Sequence, residues 1–235
     1  METPQNLTPT HYVDKKDQTV AVKGAGILPL IRDAFGNLYA ILPVAIVEDG
    51  WGQNGSTPVF ITPSQDAAYD GETAIDMAAR AEELQIVGEQ WFAPDKVKAA
   101  IEKARCALPG AGLMYGTYGT MTYIAQFDAP FAKVHPALLE ATQKIETAMS
   151  STDDPTSAYE ALFPTTAAKE RSDRIVNLDI IPLMALLAAT KAAHTRAQLH
   201  QSLITSPVPV PPYGALASYV ARTLALHMDT LENLK

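Results

Sequence analysis

The sequence predicts an α/β fold in which a strand-rich first half is followed by a mostly helical second half. Two apolar runs, Val20 to Ile31 and Leu38 to Val47, flank a polar turn that contains Gly36, and this pattern predicts a β-hairpin. The apolar run at residues 121–127 predicts a further strand, with helical segments before it. Such alternation over roughly 130 residues is typical of an α/β or α+β domain.

The remaining elements of the first half follow from local composition. Pro29 and Pro43 lie inside the hairpin runs, and each predicts an edge, a bulge or a strand end, because proline cannot donate to a β-ladder. The pattern predicts a loop at residues 48–58, a short strand at 59–62, a helix at 73–84, a strand at 86–92 and a surface helix at 95–105.

The second half has mainly helical spacing. The predicted elements are a helix at residues 136–149, a break at 150–155, a strand at 174–180, a buried helix at 183–193 that continues toward 203, an extended proline-rich segment at 207–214 and an amphipathic helix at 215–231. We therefore divide the chain into an N-terminal segment (1–19), a core (20–128), a helical continuation packed on that core (129–206), a proline-rich strap (207–214) and a C-terminal helix (215–235).

Composition and charge exclude several classes of protein. With 235 residues, 47% of them hydrophobic, the chain can bury a large core. A net charge of −8 argues against general nucleic-acid binding, which needs a cationic surface. Cys106 is the only cysteine, so no internal disulfide is expected. The chain lacks an apolar signal core and a bilayer-length apolar run, which predicts a soluble cytoplasmic protein without membrane contact.

The most informative segment joins a short strand to the helix predicted at residues 73–84. Glu72 follows a glycine and precedes Arg80 by eight residues, and Glu82 and Glu83 follow directly. Carboxylates three or four positions apart on a helix share a face and can chelate one ion. Adjacent residues diverge by about 100° around a helix, so Glu82 and Glu83 need not serve one metal equally.

This segment resembles a shortened, degenerate Nudix box, and the resemblance to Nudix proteins of the ADP-ribose pyrophosphatase type covers approximately residues 20 to 128. Glu72 and Arg80 have the spacing of the first glutamate and the arginine of that signature, but Asp66 replaces its opening glycine. Beyond Arg80 the chain continues as though two helix residues were missing. The other matching pieces are the strand at 22–29, the hairpin around Gly36, residues 60–63, and the loop at 107–110 with its following strand at 121–125.

The resemblance implies a Nudix-like α/β/α sandwich with a mixed sheet and a helical C-terminal extension. It also implies Mg²⁺ or Mn²⁺ bound by glutamates, to offset the charge of a pyrophosphate and activate a water. In the ungapped register the metal-binding positions fall on Ala81, Leu84 and Gln85, none of which is a carboxylate. With a two-residue deletion, Glu82 and Glu83 take the place of the paired glutamates, and Glu72, Arg80, Glu82 and Glu83 become the candidate catalytic residues.

Each of these residues also has an interpretation without catalysis. Asp76, Arg80 and Glu83 have the spacing of a solvated ion-pair row on one helix. Glu82 has the character of an exposed helix glutamate, and Glu72 would favour a helix N-terminus electrostatically. Asp66 and Asp70 would be compensating metal ligands or ordinary turn residues.

Two hypotheses of function remain open from the sequence. The first is a metal-dependent hydrolase of a nucleoside diphosphate derivative, such as ADP-ribose or a nucleotide sugar. The second is an inactive Nudix-like protein that binds a nucleotide-derived small molecule or another protein. Apolar stripes in the second half, with the strap before Ala215, also suggest a homodimer.

Overall fold

The computed structural model describes residues 11–13, 19–21, 24–47, 58–65, 73–107, 114–115, 120–151, 155–164 and 173–234. The strands in these ranges are β1 (His11–Val13), β2 (Thr19–Ala21), β3 (Gly24–Arg32), β4 (Leu38–Val47), β5 (Val59–Phe60), β6 (Ser64–Gln65), β7 (Met114–Tyr115), β8 (Thr120–Gln126), β9 (Asp173–Pro182), β10 (Val208–Val210) and β11 (Gly214–Leu216). The helices are α1 (Ala74–Ala79), α2 (Glu82–Gln85), α3 (Glu89–Phe92), α4 (Pro94–Ala107), α5 (Phe131–Met149), α6 (Pro155–Leu162), α7 (Leu183–Leu199), α8 (Ser218–Leu226) and α9 (Met228–Glu232).

Nine of the described strands form one mixed sheet, and β1 pairs separately with β2. The predicted hairpin is confirmed, because β3 and β4 are antiparallel with Leu30 opposite Ala40. On its other edge β3 runs parallel to β8, from Gly24 opposite Thr120 to Leu30 opposite Gln126. A mixed sheet with helices places the chain in the α/β class, while the three-layer sandwich stays a prediction.

The hairpin strands lie at the centre of the core. Residues 24–31 of β3 are all buried. Since successive side chains of a strand point to opposite faces, both faces of β3 are covered. The helices α1 and α4 pack on β3 and β8, whereas α5 and α7 pack on β9. Within the described ranges, no helix is long and apolar enough to cross a membrane.

The two prolines of the hairpin occupy different kinds of position. Pro43 immediately precedes a register shift between β4 and β9 at Val44 and Ala45, which agrees with the predicted bulge. Pro29 lies in the interior of β3, so the prediction of an edge or strand end is wrong there. It is accommodated because β3 changes partner on that edge: Gly26 pairs with β6, and Leu30 pairs with β4.

Other predicted elements differ from the structure for local reasons. The strand predicted at residues 86–92 is wrong, because Trp91 N and Phe92 N both donate to the carbonyl of Gly88 at 3.0 Å and close the helical turn α3. The helix predicted from Pro136 begins five residues earlier, at Phe131, and contains Pro136. The helices predicted at 95–105 and 183–193 and the strands predicted at 121–127 and 174–180 are confirmed, with shifted ends.

The C-terminal part of the chain contributes strands to the same sheet as the first half. β9 pairs antiparallel with β4 along its whole length, from Tyr39 opposite Pro182 to Val47 opposite Asp173. The segment predicted as an extended strap, residues 207–214, forms most of the β10–β11 hairpin, and its extended conformation at β10 agrees with the prediction. Leu216 of β11 pairs in parallel with Phe60 of β5. The helix predicted at 215–231 is wrong at its start, where residues 214–216 form β11, and it is interrupted at His227. The domain division at residue 128 remains a prediction, although one sheet contains strands from both sides of it.

The helix α1 begins with a capping box that also ties it to α4. Asp76 N donates to the Thr73 hydroxyl at 3.1 Å, and Thr73 N donates to the Asp76 carboxylate at 2.9 Å. The same carboxylate pairs with Lys98 of α4. Hydrogen bonding from Lys98 and then from Thr73 lowers the pKa of Asp76 to about 2, against an ordinary value of 3.8.

We expect Asp76→Asn to lower the free energy of unfolding at neutral pH by about 1 kcal/mol, the usual cost of a lost cap. Because the folded-state pKa of Asp76 is depressed, its stabilisation is present above pH ~4 and is lost as the pH falls toward 2. Urea unfolding between pH 2 and 7 should show a shallower pH dependence for Asp76→Asn than for the parent chain. Asp229→Asn in α9 is the control, and identical slopes for the parent chain and Asp76→Asn would contradict the prediction.

We expect Gly26→Ala to destabilise the fold by about 1 to 3 kcal/mol, the typical cost of overpacking. A Cβ at Gly26 would lie 2.9 Å from the carbonyl oxygen of Pro63 and 3.0 Å from Cβ of Ser64, so the backbone must shift. The matched control is Gly36→Asn, since that position has open space and a φ of +88°, which asparagine tolerates. Unfolding in urea at pH 7 compares the stability of Gly26→Ala with that of Gly36→Asn. If Gly26→Ala lost no more free energy of unfolding than the control, the β3–β6 contact would not be tight.

Candidate functional site

The segment that leads to the candidate glutamates is fixed against the central strand of the sheet. Ser64 of β6 pairs with Gly26 of β3, and Ile27 N donates to the carbonyl of Pro63 at 2.9 Å. The side chain of Thr62 is buried as well. After this anchor, the chain enters α1, whose buried residues Met77 and Ala78 belong to the core. The described residues just before the box and its first helix, α1, are therefore held by packing on β3.

The helix predicted at residues 73–84 is broken after Ala79. Arg80 ends α1 with φ −86° and ψ 12°, and Ala81 is extended with ψ 95° before α2 begins at Glu82. The Gln85 amide donates to the carbonyl of Ala79 at 3.4 Å, which gives a partner to one of the carbonyls that a helix end leaves unsatisfied. Gln85 thus has a structural contact at a position that the ungapped register assigned to a metal ligand.

The break changes how the predicted ion-pair row must be understood. Asp76 lies in α1 and Glu83 in α2, so their positions do not follow from the spacing of one helix. Asp76 pairs with Lys98 of α4 and with Thr73, and neither residue belongs to the predicted ion-pair row. The interpretation of Asp76, Arg80 and Glu83 as a solvated row is wrong, because Glu83 has no exposed surface.

Glu82 and Glu83 are both buried. The exposed fraction is 9% for Glu82 and 0% for Glu83, and Ala81 and Leu84 on either side are also buried. The expectation of an exposed Glu82 is therefore wrong. Each of these glutamates takes part in a polar or electrostatic interaction, as does Arg80, which is half-buried. Withdrawing two adjacent carboxylates from water is costly unless charge or hydrogen bonding compensates them, so this is the least expected feature of the segment.

Some of the other candidate site residues lie outside the part of the chain that the structure describes. Glu72, Asp66 and Asp70 lie outside the described residues, so their proposed roles stay predictions. Lys98, the partner of Asp76, was not singled out by sequence reasoning. The sequence shows Lys98 only as a cation in the surface helix predicted at 95–105. Local spacing cannot show that this helix contacts α1.

The donor chemistry of Glu82 and Glu83 fits a hard divalent cation only in part. Within the ranges that the structure describes, no three or more histidine, cysteine, aspartate or glutamate side chains lie together as metal ligands. Mg²⁺ is commonly held by one or two protein carboxylates, with waters and substrate phosphates completing its shell. Two neighbouring buried carboxylates meet that smaller requirement, with Glu82 and Glu83 as the residues that would hold the ion.

Among the comparisons with known proteins, solved structures give a likeness at low sequence identity. No protein-family model matches the chain, and no curated protein matches it. Among solved structures, the chain is similar to a Nudix hydrolase from M. smegmatis, RenU, with 13% identity over 95% of this chain and 96% of the other, and a TM-score of 0.34.

Proposed function

We propose that this chain is a hydrolase of a nucleoside diphosphate derivative, of the ADP-ribose or nucleotide-sugar type, that uses Mg²⁺ or Mn²⁺. The burial of two adjacent carboxylates, Glu82 and Glu83, directly after the broken box helix is the observation that supports it. Ionisable groups that are withdrawn from water beside specific charge partners are common at functional sites. The resemblance of residues 20–128 to Nudix proteins supplies the reaction class.

In this proposal each residue of the segment has a separate task. Glu82 and Glu83 hold the metal, which would supply charge compensation for the diphosphate and activation of a water. The carbonyl of Ala81 accepts from Leu84 N at 3.1 Å and that of Glu82 from Ile86 N at 3.0 Å, so backbone hydrogen bonds fix the turn that carries both glutamates. Arg80, two residues before Glu82, offsets their negative charge and orients them. Glu72 is proposed as an additional catalytic carboxylate.

A second candidate function follows from the small number of candidate metal ligands. A Nudix-like chain that no longer hydrolyses its ligand would keep the fold and bind a nucleotide-derived molecule or a protein. The interrupted helix and the lack of a three-ligand group among the described residues favour this alternative. Turnover and metal binding distinguish the two.

We expect the parent chain with Mg²⁺ or Mn²⁺ to release AMP or phosphate from a panel of ADP-ribose, nucleotide sugars and dinucleoside polyphosphates. Glu82→Gln and Glu83→Gln, singly and together, should lower that rate by more than about 100-fold, because loss of a ligand exceeds the effect of its outer-shell partners. Glu102→Gln, on the exposed side of α4, is the matched control. No turnover on any substrate would favour the binding role, and turnover unchanged in the double variant would exclude these two as ligands.

We also expect Mn²⁺ alone to raise the melting temperature of the parent chain by several degrees, since a ligand at 100 times its dissociation constant stabilises by about 2.7 kcal/mol. The double variant Glu82→Gln, Glu83→Gln should lose this shift, whereas Glu102→Gln should keep it. Differential scanning calorimetry with and without the metal makes the comparison. Equal shifts in all three proteins would place the metal at other residues.

A further inference from the structure

The strand β9 lies at an edge of the sheet, because β4 pairs with one side of it and no other described strand pairs with it. The strand extends over ten residues, from Asp173 to Pro182. We call the side of β9 that faces away from β4 its outer edge. A strand edge of this length presents a row of backbone N–H and C=O groups with which another chain can pair. The contacts of those groups therefore decide whether a second copy of the chain can add to the sheet.

The pairing with β4 shows which amides of β9 point outward. The carbonyl of Pro43 accepts from Ile61 N at 2.9 Å on the β5 side, so Pro43 exchanges no hydrogen bond with Leu178, which lies opposite it in β9. In an antiparallel pair, such positions alternate with hydrogen-bonded ones. Leu178 N therefore points away from β4, and the backbone groups of Ile180 and Pro182 point the same way.

Side-chain oxygens from β9 itself occupy the outward amides at this end of the strand. Leu178 N donates to the side-chain oxygen of Asn177 at 2.7 Å. Two residues on, Ile180 N donates to the carboxylate of Asp179, also at 2.7 Å. The next outward position is Pro182, which has no N–H. This end of the outer edge therefore holds its own donors in local hydrogen bonds.

Two helices complete the arrangement. The hydroxyl of Thr142 in α5 donates to the side-chain oxygen of Asn177 at 2.7 Å, which holds the group that accepts from Leu178 N. On the other side of the register shift, Ile175 N donates to the Tyr159 hydroxyl of α6 at 2.8 Å. Natural sheets avoid edge-to-edge pairing by covering an edge with other elements or by placing charged side chains on it. Both means are present on the outer edge of β9.

The opposite end of the sheet is protected in a different way. There β10 is the outer strand, with Pro209 at its middle position and Pro207 directly before it. Proline cannot donate to a β-ladder, and on an edge strand it hinders pairing. At the third end, β7 has only two residues. Among the described strands at the ends of the sheet, β9 is thus the longest, and its protection depends on side-chain acceptors.

We infer that the outer edge of β9 is closed against strand addition by a second copy of this chain, and that Asn177 and Asp179 are the residues that close it. A strand that paired there would have to displace both side-chain hydrogen bonds and withdraw the Asp179 carboxylate further from water. A homodimer of this chain would then use another surface. The inference does not depend on the proposed hydrolysis.

The variant that opens the outer edge is Asn177→Leu, Asp179→Leu, because leucine has a similar shape and accepts no hydrogen bond. Amide hydrogen exchange at Leu178 and Ile180 should become faster by about three- to tenfold, the range for one lost hydrogen bond. Sedimentation velocity from micromolar to millimolar concentration should show that this variant forms larger species than the parent chain. Circular dichroism checks that it keeps the fold.

The matched control is the exchanged pair Asn177→Asp, Asp179→Asn, which keeps an acceptor at each position and leaves the net charge of the chain unchanged. This control should exchange and sediment as the parent chain does. Asp179→Leu alone is a milder variant, because it keeps the contact between Asn177 and α5. It should make exchange faster at Ile180 and leave exchange at Leu178 unchanged.

Adding Ile180→Pro to the double leucine variant tests whether association uses the backbone. The substitution removes an outward N–H that the double variant has opened, and an edge strand tolerates proline at such a position. Association should therefore weaken. Equal association with and without Ile180→Pro would indicate apolar contact in place of strand pairing and would overturn the inference. So would a double leucine variant that sediments as the parent chain does, or unchanged exchange at Ile180 in Asp179→Leu.

Discussion

The fold depends on how the two edges of β4 are used. One edge pairs continuously with β9, while the other is divided between β3, at Leu38 to Ala40, and β5, at Val44 and Ala45. Because a single edge serves two partners, β3 pairs with β4 only from Leu30 to Arg32, and β6 pairs with the first part of β3. Because of this division, the chain passes beside β3 on its way to the candidate glutamates. It also allows β11, in the C-terminal part of the chain, to pair with β5.

The buried glutamates carry a physical cost, because two adjacent carboxylates are withdrawn from water. Glu82 and Glu83 each take part in a polar or electrostatic interaction, and removing one partner of a buried pair is strongly destabilising, although replacing a whole buried ion pair by apolar residues is often neutral or stabilising. The proposed metal site would give a reason to keep their charge, which the exposed carboxylates of α4 lack.

Local sequence patterns predicted much of the fold, but they did not predict which distant strands pair. The hairpin, α4, α7 and β8 follow from periodicity and turn residues, because those signals lie within the elements themselves. The pairing of β9 with β4 and of β11 with β5 depends on residues more than a hundred positions apart, which one sequence does not connect. In the site, the four candidates could be chosen from the sequence. The break at Ala81 and the burial of Glu82 could not, because tertiary packing decides both, and the Gln85 contact with the Ala79 carbonyl forms only once the helix is broken.

The central strand β3 supports different regions at its two ends. Gly26 pairs with Ser64, and Ile27 N donates to the carbonyl of Pro63, in the segment that precedes the glutamates. Leu30 to Arg32 pair with β4 and lead into the turn of the hairpin. Six residues of extended strand separate Gly26 from Arg32, a distance of about 20 Å. One strand, buried on both faces from residue 24 to 31, thus fixes both the approach to the glutamates and the hairpin turn.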